Sequence, residues 1–549
     1  MKKCGQCTQD FAIADEDRGF YKKINIPEPT LCPDCRHQRR MVFRNERKLY
    51  QRVCDITGKK IISAYATDAP VTVCDKDYFF SDKFDPMQYG RDFDFNRPFF
   101  EQFHELLKTV PLPSLRVERS ENCDYNNDMS DCSNCYLCAR THKCRDMMYA
   151  YRGNGSSSCI DCAEAIKSEL LYECVECVSC YNSKYLFFCS ECSDSAFLID
   201  CRNCMNCFMC SNLRNKQYYI LNKPYSKEEY FKKMKEFDFS HYAIVQKAFG
   251  MFKTMKQKAI HQAIISVKTE DCMGDNLFES KHCRQCFGVK FSQDCAYLID
   301  VMKYKDSMDS YSGGRDSELC YETTSVSACF NTKFCVRATY SNDIDYSFFI
   351  QSSHDCFGCI GLRQKTFCIF NKQYSELEYK ALRERIIRHM QKTSEWGEFF
   401  PVTMSPFAYN ETVAQEYFPL TTEEAQKRSW SWRIEEEKLS DVKKVIPAAK
   451  LPDTIKEIPD EVLEWAIACE ATGRPFKVTP QELRFYREHQ LPMPHLHPDE
   501  RYRRRLEFKR PHHLYSRPCS KCGTAIQSVY ASDRPEIVYC EACYLKEVY

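Results

Sequence analysis

The sequence predicts a multidomain, mainly β chain with helical connectors: a ribbon module at each end flanks two tandem short-coil β-solenoid arrays, each closed by a helix. Three observations predict this plan. Shifting the 549-residue chain by 465 places its first 75 or so residues on its last without a gap, Cys4 on Cys469, Phe20-Tyr21 on Phe485-Tyr486, and Ser63-x-Tyr65-Ala66-x-Asp68-x-Pro70 on Ser528-x-Tyr530-Ala531-x-Asp533-x-Pro535. A shift of 149 places the middle on itself, Cys207-Phe208-x-Cys210 on Cys356-Phe357-x-Cys359 and Asn222-Lys223 on Asn371-Lys372. Cysteines recur through the first of these middle segments at steps of 12 and 15. The segments in order are 1–78, the N-terminal module; 79–118, an aromatic loop and helix connector; 119–222, the first Cys-rich array; 223–267, a helical cap and linker; 268–371, the second array; 372–465, a helical cap and Trp-containing connector; and 466–549, the C-terminal module.

Cys4-Gly-Gln-Cys7 and Cys32-Pro-Asp-Cys35 open the N-terminal module; Cys519-Ser-Lys-Cys522 and Cys540-Glu-Ala-Cys543 close the C-terminal one. Two C-x-x-C knuckles supply four thiolates, enough to close a tetrahedral zinc site with no open position. The spacing predicts a short helix from Asp15 to Ile24, and a hairpin between Ala525–Tyr530 and Glu536–Tyr539. The shifted alignment shows a second potential site in each module. It reads Cys54, Thr57, Asp75, Tyr78 in one copy and Cys469, Thr472, His497, Glu500 in the other. Neither remnant has four good ligands, so the expectation is two zinc ions per chain.

Between the sites of each module lies a basic stretch. Residues 36–52 carry Arg36, Arg39, Arg40, Arg44, Arg47, Lys48 and Arg52 against Glu46. Residues 501–517 carry Arg501, Arg503, Arg504, Arg505, Lys509, Arg510 and Arg517 against Glu507. Arg36, Arg40, Arg44 and Arg47 or Lys48 follow i, i+4 spacing and would share one helical face. Such a face suits phosphate contact; the plainer alternative is a solvated face, or arginines that pair with acids elsewhere.

The arrays line up by cysteine into columns. Cys132, Cys144, Cys159, Cys174, Cys189 and Cys201 form the first, with equivalents three and six residues on. In the second array the same columns read Cys283, Cys295, Met308, Thr323, Ala338, Ile350 and Cys286, Leu298, Tyr311, Val326, Ser341, Ser353. A ligand cannot be exchanged for Ile or Leu, but a core filler can, and free cysteine behaves as a small hydrophobe. Each array ends in a Ser-x-x-Glu capping box, Ser226 to Glu229 and Ser375 to Glu378, opening helices to about Gly250 and Thr393 that would close the solenoid. The connectors predict a helix near Arg97–Thr109 and a cluster of all four tryptophans, Trp396, Trp430, Trp432 and Trp465, which reads as docking between elements.

Composition narrows the function classes. With 78 Lys and Arg against 77 Asp and Glu, the net charge is +1, and no global field argues for nucleic acid or membrane. No 18-residue apolar run occurs and the start, MKKCGQC, has no signal-peptide core, so a cytoplasmic protein without membrane association is expected. In a reducing cytosol 37 cysteines are metal ligands or buried fillers. No phosphate loop, dinucleotide fingerprint, Gly-x-Ser-x-Gly elbow or His-Glu-x-x-His is present, so no enzyme activity is expected.

The combination of Cys4-x-x-Cys7…Cys32-Pro-Asp-Cys35-Arg36, Cys54-Asp-x-Thr57-Gly-Lys59, Tyr89-Gly-Arg-Asp-Phe-Asp-Phe95 and the Cys-rich array resembles a family of zinc-ribbon, cysteine-rich repeat proteins of Candidate Phyla Radiation (Patescibacteria) bacteria. The resemblance covers the whole chain and implies bacterial origin and a cytoplasmic location; it implies no activity. The leading functional reading is a non-enzymatic zinc-binding scaffold that contacts RNA or DNA through Arg36, Arg39, Arg40, Arg44, Arg47, Lys48, Arg501, Arg503, Arg504 and Arg505. The alternatives are a protein-interaction scaffold without nucleic acid, and a metal or redox protein using the first cysteine array.

Overall fold

Both arrays are built from tripeptides. In the computed structural model, which describes residues 1–434 and 442–549, every third residue from Cys123 to Cys210 is buried. The residue before each interior position sits in the left-handed region at almost every step (Asp131 φ 56°, Asn134 φ 53°, Asp146 φ 53°). The residue after it bridges in parallel to its counterpart 12 residues on, as in Ser133↔Arg145, Met148↔Ile160 and Ser190↔Arg202. Four tripeptides therefore close one coil, and the interior columns number four. The 15-residue cysteine steps are one coil plus one tripeptide, a move to the adjacent column, so the coil does not alternate between two lengths.

This geometry explains the cysteines. Two of the three N–H groups in each tripeptide enter the main-chain ladder (Ser133 N–H to Cys144 O, 3.0 Å; Asp146 N–H to Ser133 O, 3.0 Å). The third points inward, where only an interior side chain can accept it. Cys144 N–H donates to Cys132 Sγ at 3.4 Å, Ser168 N–H to Ser156 Oγ at 3.1 Å and Cys207 N–H to Ser195 Oγ at 3.0 Å. The interior thiol or hydroxyl in turn donates a hydrogen bond to the carbonyl two residues back, Cys132 to Ser130 at 3.2 Å and Ser168 to Ile166 at 3.0 Å. Cysteine is thus a core filler that also satisfies buried backbone groups, which is why serine takes its place so often in the second array (Ser280, Ser292, Ser341, Ser353).

The second array keeps the pattern from Leu277 to Ser310 and again from Ser317 to Leu362. One coil carries an extra residue: Ser310 pairs with Thr323, 13 positions on. The surplus is taken up at Gly313-Gly314, where a Cβ on Gly313 would lie 2.0 Å from Tyr304 Oη and 2.4 Å from the Val326 carbonyl. Each array ends on an asparagine whose amide imitates the backbone of a further coil. Asn222 accepts from Ser211 N–H and donates to its carbonyl, both at 3.0 Å, and Asn371 does the same to Ile360, both at 2.8 Å.

The helices that matter below are α1 (Asp15–Lys23), α2 (Pro33–Met41), α3 (Phe99–Thr109), α4 (Lys227–Met234), α5 (Tyr242–Lys258), α6 (Glu376–Lys392), α7 (Pro480–Glu488), α8 (Pro498–Leu506) and α9 (Glu541–Val548). Both Ser-x-x-Glu capping boxes form. Tyr230 of α4 and Tyr379 of α6 meet the last coils at Tyr218 and Phe367, each with ring centroids 5.8 Å apart. The first cap is two helices rather than one, broken where Phe237 and Phe239 turn inward against Phe208.

The chain forms two units, and modules associate with arrays crosswise. Unit 1 comprises residues 1–116, 264–433 and 512–514: the N-terminal module with the second array. Unit 2 comprises 117–263, 434–511 and 515–549: the C-terminal module with the first array. Part of the Trp-containing connector, residues 435–441, lies outside the described residues. Within unit 1, Trp396 is buried against Tyr346 and Phe334. Two local expectations change. The basic stretches are helical only to Met41 and Leu506; strands at Tyr50–Val53 and Tyr515–Pro518 follow, so Arg44, Arg47 and Lys48 do not extend a helical face. Ala525–Ser528 pairs with Tyr515–Pro518, while Ile537–Tyr539 joins Ile260–Gln262 in parallel, so those two runs do not form a hairpin with each other.

Candidate metal centres and the buried arginine helices

Among the described residues two groups of thiols could hold a metal ion: Cys4, Cys7, Cys32 and Cys35 in unit 1, and Cys519, Cys522, Cys540 and Cys543 in unit 2. In each group all four sulfurs lie within 4.8 Å of one another. Cys7 Sγ is 3.8 Å from Cys32 Sγ, and Cys522 Sγ is 3.8 Å from Cys540 Sγ. A tetrahedral ion with metal–sulfur bonds of about 2.3 Å sets its ligands about 3.8 Å apart, so the donor set fits. Backbone N–H groups aim at the sulfurs: Cys32 N–H at Cys4 Sγ (3.3 Å), Cys540 N–H at Cys519 Sγ (3.2 Å). The hydrogen bond from Cys35 holds Cys32 down at about 5. Burial works against ionisation of Cys519, but the N–H groups of Cys522 and Cys540 outweigh it and bring the thiol to about 6. One thiol of each site is thus held toward the thiolate, the form a metal binds, while hydrogen bonds with their cysteine neighbours push Cys35 and Cys543 the other way.

Each site sits at the start of a helix, and the two sites choose different helices. Cys32 is the N-cap of α2, with Cys35 in its first turn; Cys540 is the N-cap of α9, with Cys543 in its first turn. At the remnant sites a His or Asp side chain caps the corresponding helix, where in α9 the Cys540 sulfur accepts Cys543 N–H at 3.4 Å. His497 Nδ1 accepts Asp499 N–H (3.1 Å) at the head of α8, and Asp75 Oδ1 accepts Asp77 N–H (2.8 Å) at the head of the short helix Lys76–Phe79. Cys54 still accepts N–H groups from Thr57 and Asp75, both at 3.2 Å.

The arginines of α2 and α8 point inward. In unit 1, Arg36 reaches Asp309 at 2.9 Å, Arg40 reaches Asp309 at 3.1 Å and Glu322 at 2.9 Å, and Arg39 reaches Glu322 at 3.1 Å and Glu398 at 2.8 Å. Both carboxylates have no exposed side-chain surface, and Arg36 and Arg40 are 2% and 1% exposed. Unit 2 repeats the device. Arg501 reaches Asp161 at 2.7 Å and Glu482 at 3.3 Å, Arg505 reaches Asp161 at 2.8 Å, and Arg504 pairs with Glu173. In each unit the two array acids occupy left-handed corners of successive coils (Asp161 φ 56°, Glu173 φ 54°; Asp309 φ 54°, Glu322 φ 47°). The guanidinium groups tie one coil to the next and the module to both. Tyrosine rings lie beneath them, Tyr297 under Arg36 at 5.2 Å and Tyr149 under Arg501 at 4.6 Å.

The remaining basic residues singled out in the sequence are placed as follows. Arg44 is buried on Glu46 at 2.5 Å. Arg47 and Lys48 are half-buried. Arg503 is exposed and paired along its own helix to Glu500 and Glu507, both at 2.9 Å. The structure therefore does not gather these ten residues into a basic surface; most of them are consumed inside the units. Sequence reasoning missed their partners Asp161, Glu173, Asp309, Glu322 and Glu482. A signal was present: the array acids recur at nearly the same shift as the cysteines, while the arginines recur at the shift of the modules. The array cysteines lie interior, hydrogen-bonded to carbonyls, and none joins a metal-type cluster among the described residues.

No family model and no curated protein matches the chain. Among solved structures, a chain titled as a putative acetyltransferase from Desulfovibrio desulfuricans G20 is similar over 51% of this chain and 81% of its own, at 10% identity and a TM-score of 0.10. On that finding the expectation of no enzyme activity, which rested on missing motifs, is withdrawn. A likeness of this size in turn assigns the chain no activity and no substrate. Among the described residues no helix is long and apolar enough to cross a membrane.

Proposed function

We propose that the protein is a zinc-stabilised binding scaffold whose two units present solenoid faces to a protein partner. The observation that carries this reading is the inward turn of the arginine helices. Residues that would form paired phosphate-binding patches are spent on Asp309, Glu322, Asp161 and Glu173. The outer ladders instead carry exposed apolar side chains among polar ones, Val178, Tyr181 and Met205 in unit 2, Phe330 and Tyr340 in unit 1; such patches suit protein contact. Zinc is the metal assigned to both thiolate sites, because four sulfurs within 4.8 Å of one another, with one pair in each site at 3.8 Å, suit a tetrahedral ion without redox chemistry. We also propose a bacterial, cytoplasmic setting, in line with the resemblance to the Candidate Phyla Radiation family and with 37 thiols in the chain.

The test is to purify the protein under reducing conditions, measure bound metal by elemental analysis, and follow co-purifying nucleic acid as salt is stepped. Two zinc per chain and no nucleic acid at low salt are expected. Nucleic acid released steeply with salt would replace the protein-scaffold reading by a polyanion-binding one. Iron, or zinc well above two per chain with visible absorbance, would move the metal chemistry into the first array.

A further inference from the structure

We infer that the arginine clamp of unit 1 is conditional on metal while that of unit 2 is not, so that metal loss opens one unit and leaves its twin closed. The inference rests on the assignment of metal to the two thiolate sites. Three observations carry it. Helix α2 begins on two metal ligands, Cys32 and Cys35, and the next residue, Arg36, is the first of the clamp. Helix α8 carries the same arginines at the equivalent places, yet has His497 and Glu500 where α2 has its cysteines, and caps itself through the His497 ring. The metal of unit 2 begins α9 instead, and α9 holds the first array by a different contact: Tyr544 pairs with Asp200 and accepts from Arg214 at 2.7 Å.

The physical coupling follows from what the four thiols become without metal. A thiolate site is a set of negative charges brought close together, stable only around a cation. Once the cation leaves, no metal–sulfur bond holds Cys4, Cys7, Cys32 and Cys35 within 4.8 Å of one another. Because Cys32 and Cys35 are the first turn of α2, their displacement shifts the helix that aims Arg36, Arg39 and Arg40. Those arginines face carboxylates with no exposed surface, which hold only with good geometry. A small displacement is therefore enough to let water reach Asp309 and Glu322. In unit 2 the head of α8 is capped by groups of its own chain, and metal loss moves α9.

Hydrogen–deuterium exchange of the full chain, resolved by peptide, tests this, with metal content measured on the same samples. Removing metal by chelation should speed exchange about tenfold or more over residues 33–45 and 305–325 and over α9, and leave 498–508 and 76–80 unchanged; zinc added back should restore protection. Cys32→Ser with Cys35→Ser should reproduce the unit 1 half alone, and Cys540→Ser with Cys543→Ser the α9 half alone. Protection of 33–45 that survives complete metal loss would overturn the inference while leaving the metal assignment intact. Loosening of α2 and α8 together would overturn it as well. A chain that purifies without metal under zinc-replete conditions would remove the assignment beneath it.

Discussion

Units 1 and 2 are made of the same parts and differ in which helix begins on the four-thiol cluster. Unit 1 places its four-thiol cluster at the head of α2 and caps the short helix Lys76–Phe79 with Asp75; unit 2 places its cluster at the head of α9 and caps α8 with His497. What both retain is the clamp itself, with arginines on a nine-residue helix meeting acids on two successive coils. The difference teaches that a thiol cluster and a His or Asp cap can occupy the same helix start, whereas the buried arginine–carboxylate network is kept in both units.

The comparison breaks most directly if the clamps are not equivalent in energy. Arg40→Ala leaves Asp309 and Glu322 with fewer partners at full burial, and Arg505→Ala does the same to Asp161 and Glu173. Removing one member of a buried charge network costs about 3–5 kcal/mol. Each variant should therefore unfold its own unit well before the other, seen as loss of exchange protection confined to one array. Arg503→Ala is the control: its exposed pairs are worth about 0–1 kcal/mol, so its stability should hardly change. If Arg40→Ala and Arg503→Ala behaved alike, the clamp would not be what joins module to array.

A finer comparison uses the two terminal asparagines. Asn371 is fully buried and makes three bonds, two to Ile360 and one to the Pro86 carbonyl at 3.0 Å. Asn222 makes the equivalent pair to Ser211 but is exposed. Buried groups left without partners cost about 1–3 kcal/mol, and groups that water can reach cost less. Asn371→Ala should thus lower stability by about 2–3 kcal/mol and Asn222→Ala by about 1 kcal/mol, read from denaturant midpoints at unchanged slope. Equal losses would mean that the coil end of unit 1 is no better sealed than that of unit 2.

The broad plan was legible in the sequence because repeats are visible without knowing the fold: the 465 and 149 shifts marked the modules, the arrays and their order. The two four-cysteine groups were legible because C-x-x-C spacing is a local constraint. The tripeptide was harder to see. Cysteine marks only some interior positions, and Met147, Leu171 and Leu198 fill others in the same register, so the columns looked irregular when read from cysteine alone. The arginines misled for a different reason. Seven basic residues against one acid within a short stretch look solvent-facing, since the array acids that meet Arg36, Arg39, Arg40, Arg501, Arg504 and Arg505 lie hundreds of residues away in the other kind of repeat. Charge balance over a window cannot show a partner outside it. Crosswise association was invisible for the same reason: either array could have received either module.

The smallest effect concerns the one position where the arginine helices differ in ring chemistry. His37 of α2 stands where α8 has Tyr502. It is 6% exposed and packs edge-on to Tyr311 and Phe418, and among the described residues neither ring nitrogen has a hydrogen-bond partner. Burial, with Arg40 and His512 adding to it and Asp300 opposing, holds its pKa well below the ordinary histidine value. The sign follows from linkage. The folded state keeps the ring neutral, and the unfolded chain takes up a proton below about pH 6.5, so stability is level above that pH and falls below it by up to about 1.4 kcal/mol per unit. Tyr502 has no charge to gain in this range, so α8 contributes no such slope at that position. His37→Phe removes the proton uptake without breaking a hydrogen bond; its denaturant midpoint should stay near wild type at pH 7.5 and exceed it by about 1 kcal/mol at pH 5.5. An unchanged acid slope would mean that His37 reaches water in the folded state, and that the core beneath the unit 1 clamp is wetter than the one beneath Arg501.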